Sequence, residues 1–189
     1  PGPTPQRRPF GHVTTIPEPS YPGEATLNLN VFTPSPGRNG VRLPVLVWIH
    51  GGGFFAGSPS SPWYDGASYN RDGVVTVSLS YRLGFDGFGW IADAPTNRGL
   101  RDLVVGLEWV RDNIAAFGGD PGRVTIAGQS AGGAAALALL TSPLANGLFS
   151  QVIAHSAPHL SMDRGKAEQV GRALALAVGV EPTRAGWSA

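Results

Sequence analysis

The sequence predicts an α/β fold with a mostly parallel central sheet. Short β-branched runs alternate with stretches whose apolar residues recur every three or four positions. One of those runs, Val45–Ile49, is apolar throughout, as expected of a strand buried on both faces. Two glycine-rich segments follow strands directly, after Ile49 and after Ala127. Open sheets of this kind place their sites there, at the carboxyl ends of the strands.

Residues 1–23 hold seven prolines and read as an irregular lead-in, a linker ahead of the domain proper at 24–189. Ala25–Thr33 alternates, with Leu27, Leu29 and Val31 on one face, and reads as a half-buried strand. Pro34–Pro44 is a loop. Val45–Ile49 is a strand that runs into His50-Gly51-Gly52-Gly53, and Val74–Tyr81 is the next strand. Residues 82–97, rich in glycine and aromatics, read as loop. Leu100, Val104, Leu107, Val110 and Ile114 have helical spacing, which predicts a helix over 98–115 that Gly118-Gly119-Asp120-Pro121 stops. Val124–Ala127 is a short strand, Gly128–Gly132 a turn and Ala131–Leu140 a helix. Gln151–Ala154 is a further strand. Residues 164–178 read as a helix, with Val170, Leu174 and Val178 in a stripe and Gly179 as its stop. Trp48, Trp109 and Phe117 read as core.

Composition narrows the function. The chain has 189 residues, enough for one domain or part of a larger one. Its 42% apolar content, set between 27 glycines and 17 prolines, indicates tight turns around a core rather than disorder. It has no cysteine, which excludes a disulfide scaffold, and no cluster of zinc-ligand spacing. No apolar run reaches the roughly 18 residues of a membrane-spanning helix. Fourteen basic side chains face thirteen acidic ones, and they are scattered, so nucleic acid is not an expected partner. The chain opens with Pro1, has Met162 as its sole methionine and carries no apolar leader segment. The expectation is a piece of something longer, or a processed chain.

Two motifs carry chemistry. Gly128-Gln129-Ser130-Ala131-Gly132 has the form G-x-S-x-G. On a sharp strand-to-helix turn such a serine stands exposed above the sheet, with the helix N-terminus aimed at the site. Chance alone gives roughly 0.3 such patterns in a chain of this composition, so the flanking strand and helix decide the reading. His50-Gly51-Gly52-Gly53-Phe54 is a glycine loop after an early strand. Acyl transfer passes through an oxyanion, and backbone N–H donors aimed at it are the main electrostatic help. No G-K-[ST] follows, so the loop is not a phosphate cradle of the Walker A kind, and no cofactor is expected.

With both motifs in order, residues 24 to about 178 resemble the amino-terminal part of the type-B carboxylesterase family, which includes cholinesterases and para-nitrobenzyl esterases. The matching stretches are LNLNVFTP (27–34), PVLVWIHGGGFFAGS (44–58), VTVSLSYRLG (75–84), NRGLRD (97–102), WVRDNIAAFGGDPGRVTIAGQSAGG (109–133) and SPLANGLFSQVIAHS (142–156). The resemblance implies an α/β-hydrolase fold and hydrolysis of a small-molecule carboxylic ester. It implies Ser130 as the acylated nucleophile and Gly52, Gly53 and Ala131 as oxyanion-hole donors, with Phe54 and Phe55 near the pocket. Two departures stand out. Gln129 replaces the family's usual Glu before the nucleophile, which argues against a choline-ester specialist. Thr26 lies in the stretch where the family carries an early Cys, which fits a bacterial-type intracellular enzyme, though a secreted one stays open.

The fold's order of Ser, then Asp or Glu, then His is not met here. His155 and His159 follow Ser130, but no acid lies between Ser130 and His159. His12, His50, His155 and His159 read as structural. The family's acid and base lie far past the nucleophile, so the expectation is a fragment without the C-terminal half of its own domain, nearly inactive alone. The competing expectations are a non-catalytic, adhesion-type relative of the same fold, and a complete chain acting as an interaction module.

Overall fold

The computed structural model describes residues 2–11, 15–38, 40–159 and 161–188. Five strands form one sheet in the order β1-β3-β2-β4-β5. They are β1 (Leu29–Phe32), β2 (Leu43–Ile49), β3 (Val75–Leu79), β4 (Gly119–Gln129) and β5 (Gln151–His155). β1 runs antiparallel to β3, and every other pairing is parallel. The helices are α1 (Ala67–Arg71), α2 (Gly84–Phe88), α3 (Arg98–Asn113), α4 (Ala131–Leu140), α5 (Arg164–Val178) and α6 (Arg184–Trp187). Parallel neighbours need crossovers, and α3 and α4 supply those into and out of β4.

One face of the sheet meets the core. Val45, Val47 and Ile49 of β2, Val75, Val77 and Leu79 of β3, and Val124 and Ile126 of β4 pack against α3 and α4. The buried stripe of α3 is Leu103, Leu107 and Val110, extended by Ile114 just past its end, with Leu100 and Val104 at the rim. Trp109 and Phe117 also sit at the rim, rings 5.9 Å apart. Trp48 is on the opposite face of β2, half-buried against Tyr64 at 5.5 Å, so it is not part of that core.

Several elements differ from the sequence reading. The first strand is only Leu29–Phe32, and Leu27 is exposed before it. The 82–97 loop contains α2. α3 ends at Asn113 and continues as a 3₁₀ turn, Ile114–Phe117. β4 begins at Gly119 rather than Val124, with a register shift opposite Leu43–Val45. Its Asp120 carboxylate is gripped from β2's side by Arg42, at 2.8 and 3.1 Å. That cross-strand pair carries the extended chain through a segment of turn residues. α5 spans the predicted residues, but Val170, Leu174 and Val178 are exposed. Its packed face is instead Gly171 and Ala175, because Gly171 lies against Trp90 so closely that a Cβ would stand 2.7 Å from the Trp90 carbonyl oxygen.

The Pro-rich lead-in has no helix or strand among its described residues. It is nonetheless bonded to the body of the chain: Arg8 N–H donates to Phe55 O at 2.9 Å and Ser58 Oγ–H to Pro19 O at 2.8 Å.

Candidate active site

β4 passes into α4 through one residue, Ser130. A strand that turns so abruptly forces unusual backbone angles, and Ser130 sits at φ 56°, ψ −123°. Such a conformation in a non-glycine residue costs of order 1–3 kcal/mol and persists only where its surroundings impose it. They do so here. Ser130 N–H donates to His155 O on β5 at 2.9 Å, and Ala134 N–H donates back to Ser130 O at 2.9 Å. The helix start is pressed onto the sheet: a Cβ on Gly132 would lie 2.1 Å from Ile49 O, and one on Gly128 would lie 2.4 Å from the Gly132 carbonyl. No side chain fits at either position. Ser130 is partly exposed, and its hydroxyl makes no hydrogen bond among the described residues.

The glycine loop leaves the end of β2 beside this turn. A Cβ on Gly51 would stand 2.7 Å from Gln129 O and 3.4 Å from Ser130 Cβ. The two sequence motifs therefore meet at one end of the sheet. Phe55 and Ala56 N–H groups both donate to Gly52 O, at 3.1 and 2.8 Å, which closes the loop into a turn. The N–H groups of Gly52, Gly53 and Ala131 donate to nothing among the described residues. Ala131 is the first residue of α4, where a helix leaves its N–H unpaired and partially positive. Phe54 turns inward at φ 65° and packs on Phe88 with centroids 4.6 Å apart. Phe55 faces outward and stacks on Phe10.

His50 is buried to 1% exposure, its ring 4.6 Å from Tyr81. Tyr81 Oη–H donates to His50 O at 2.7 Å, which anchors the first residue of the loop to the core. His50 Nδ1 lies 2.8 Å from Gly51 O, and the ring is its donor, since a carbonyl only accepts. Loss of solvation pushes the imidazole down to about 4, so it is neutral at pH 7. His50 is thus a neutral ring enclosed in the core at the start of the loop. His155 and His159 are exposed, and neither bonds to Ser130 Oγ. His12 lies outside the described residues. Gln129 is exposed, with its Oε1 3.3 Å from where a Gly51 Cβ would stand. Among the described residues no three His, Cys, Asp or Glu side chains gather as a metal site. No helix among the described residues is long and apolar enough to cross a membrane. Sequence reasoning missed the lead-in residues Arg7 and Glu18, which hydrogen-bond to the glycine loop's far end at Gly57. No local pattern marks a contact between residues 39 to 50 positions apart.

The family model of carboxylesterases matches residues 5–186, which includes most of the lead-in. A para-nitrobenzyl esterase of Bacillus subtilis (strain 168) is 44% identical over 163 residues, 83% of this chain and 33% of that protein. Cholinesterase 1 of Branchiostoma lanceolatum is 45% identical over 163 residues, 82% of this chain and 45% of its own length. A solved thermophilic PNB esterase superposes with a TM-score of 0.84 at 38% identity, covering 96% of this chain and 38% of that one. The chain therefore spans a third to under a half of the length of these relatives. Its mixed, mostly parallel sheet with flanking helices is the α/β-hydrolase architecture. With the sheet, the one-residue serine turn and the matched span in agreement, the chain belongs to the carboxylesterase family.

Proposed function

We propose that this chain supplies the nucleophile and the oxyanion hole of a serine-dependent carboxylic ester hydrolase. Ser130 Oγ attacks the ester carbonyl carbon, and the carbonyl oxygen becomes a tetrahedral oxyanion. The N–H groups of Gly52, Gly53 and Ala131 receive that charge. Collapse expels the alcohol and leaves acyl-Ser130, which water then hydrolyses. The observation that carries the reading is the convergence of a strained, partly exposed serine with three unpaired N–H groups at one end of the sheet. A histidine base and an acid are required to move the serine proton, and none stands within hydrogen-bond reach of Ser130 among the described residues. The 189 residues alone should therefore turn over esters far more slowly than a complete triad does.

Gln129 refines the substrate class. It sets an uncharged carboxamide beside Gly51 where a carboxylate would attract a cationic alcohol group. Small esters with neutral alcohols fit this site better than choline-like ones. The test is treatment of the full-length protein with an organophosphate, followed by peptide mapping. One stoichiometric adduct on Ser130 is expected. Its absence overturns the hydrolase reading in favour of a binding role without catalysis.

A further inference from the structure

We propose that the Pro-rich lead-in is a clamp on the glycine loop, and that Glu18 and Arg7 are positioning residues for the oxyanion hole. The functional half of this inference rests on the esterase reading above.

The glycine loop is under two conflicting demands. The N–H groups of Gly52 and Gly53 must stay unpaired to serve a developing oxyanion, so they cannot hold their own loop in place. Glycine backbone is also the most costly to order. The fixing must come from other groups, and the structure has them on two sides. On the inner side, Tyr81 Oη–H holds His50 O at 2.7 Å, and Gly84 N–H holds Phe54 O at 2.7 Å. On the outer side everything comes from residues 7–19. Glu18 Oε1 accepts from Gly57 N–H at 2.9 Å. Arg7 Nη1 donates to Gly57 O at 3.4 Å, and its Nη2 donates to Glu18 O, tying the two clamp residues to each other. Arg8 N–H holds Phe55 O at 2.9 Å, Ser58 Oγ–H donates to Pro19 O at 2.8 Å, and Phe10 stacks on Phe55 with planes 3° apart.

Gly57 is the point where this grip reaches the site. It has φ 95°, and a Cβ on it would lie 2.3 Å from Gly51 O and 2.5 Å from His50 Nδ1. It is wedged under the first glycine of the loop, with both its N–H and its carbonyl taken by lead-in side chains. Movement of Gly57 must move Gly51, and Gly51 abuts Ser130. The lead-in thus acts on the donors through Gly57 without touching the substrate.

The test compares Glu18→Ala with Glu18→Gln in the full-length protein. Gln keeps an oxygen that accepts from Gly57 N–H, whereas Ala removes it. Two readouts are taken: amide hydrogen exchange across 50–58, and the rate at which a fluorophosphonate labels Ser130. E18A should speed exchange at 51–58 by about tenfold or more, with β2, β4 and α4 amides unchanged. It should slow labelling by about tenfold, less than the loss of a whole oxyanion donor. E18Q should restore both. Unchanged exchange in E18A, faster exchange throughout the sheet, failure of E18Q to rescue, or a loosened loop with an unchanged labelling rate would each overturn the proposal. If the parent protein shows no Ser130 labelling, the esterase reading fails and the positioning role fails with it, while exchange still decides whether the clamp exists.

Discussion

Gly132→Ala separates two opposing physical effects at the second residue of α4. Helix propensity alone favours the change, by about 1 kcal/mol in an exposed helix interior. The local geometry opposes it. The new methyl would stand 2.1 Å from Ile49 O and 2.9 Å from both His50 O and the Ile49 carbonyl carbon. Reaching even the 3.0 Å floor of real Cβ contacts requires a shift of roughly 0.9 Å. The obstacle is the backbone of β2, which is paired on both sides, to β3 and to β4. It cannot rotate away as a side chain could. The overpacking cost therefore reaches or exceeds the upper end of the usual 1–3 kcal/mol, leaving a net loss of about 2 kcal/mol after propensity is credited. For a domain of this size that is a fall of about 4–8 °C in Tm. The displaced segment is the start of the glycine loop, so labelling of Ser130 should slow as well. Gly106→Ala in α3 is the matched control. Its methyl's nearest neighbours would be the side-chain atoms of Leu79, at 3.0 Å and beyond, and a side chain can turn aside where backbone cannot. Calorimetry and phosphonate labelling of both variants check the argument. A G132A protein as stable and as readily labelled as its parent would refute it, because the propensity gain would then have gone unopposed.

Two further outcomes follow from the same site. Ser130→Gly should abolish labelling yet raise stability by about 1 kcal/mol, since glycine adopts φ 56° without the steric cost serine bears; a denaturant melt reads this, and a loss of stability would mean the conformation is not strained. His50 should make the fold acid-sensitive. Its folded-state value of about 4 lies below the ordinary 6.5, so the unfolded chain binds the proton more readily. Its contribution is fully present above pH 6.5 and is lost progressively down to about pH 4, amounting to about 3 kcal/mol over that window. Denaturant midpoints at pH 7 and pH 4.5 should differ accordingly, and equal midpoints would show that the ring is hydrated in solution.

What the sequence made legible were the elements with strong, uniform patterns. β2 and β3 are apolar or β-branched at every position but Ser78, and α4 is built of Ala, Gly and Leu, its bounds matching residue for residue. α2 left no such trace. Five residues, Gly84–Phe88, are too short for a 3.6-residue period to show. That turn is held by Arg98, whose guanidinium donates to the carbonyls of Phe85, Asp86, Gly89 and Pro95. The start of β4 is hidden in the sequence for a similar reason. Gly119-Asp120-Pro121-Gly122 has the composition of a breaker, and only the distant Arg42 shows why the chain stays extended. At the candidate site, Ser130 and the glycines announced themselves by spacing. Glu18, Arg7 and Gly57 did not, because a contact across the chain between a carboxylate and one backbone N–H has no sequence signature.

The motif G-x-S-x-G is weak as a string and strong as geometry, and the reason is visible in its two ends. Gly128 and Gly132 are not there for flexibility, since neither has a positive φ. They are there because the last residues of β4 and the first turn of α4 touch, with no room for a methyl between Gly128 and the Gly132 carbonyl or between Gly132 and Ile49 O. That contact exists because the turn is a single residue long, and a single-residue turn is what drives Ser130 to φ 56°. Close approach, glycine at both ends and strain at the serine are therefore one constraint expressed three times. It follows that substitutions two residues apart must act in opposite directions: glycine at 130 relaxes the turn, whereas alanine at 132 pries apart the contact that imposes it. A motif present by chance, without that contact, would give the same small helix-propensity gain at 132 and the ordinary cost of glycine at 130, the reverse of both signs.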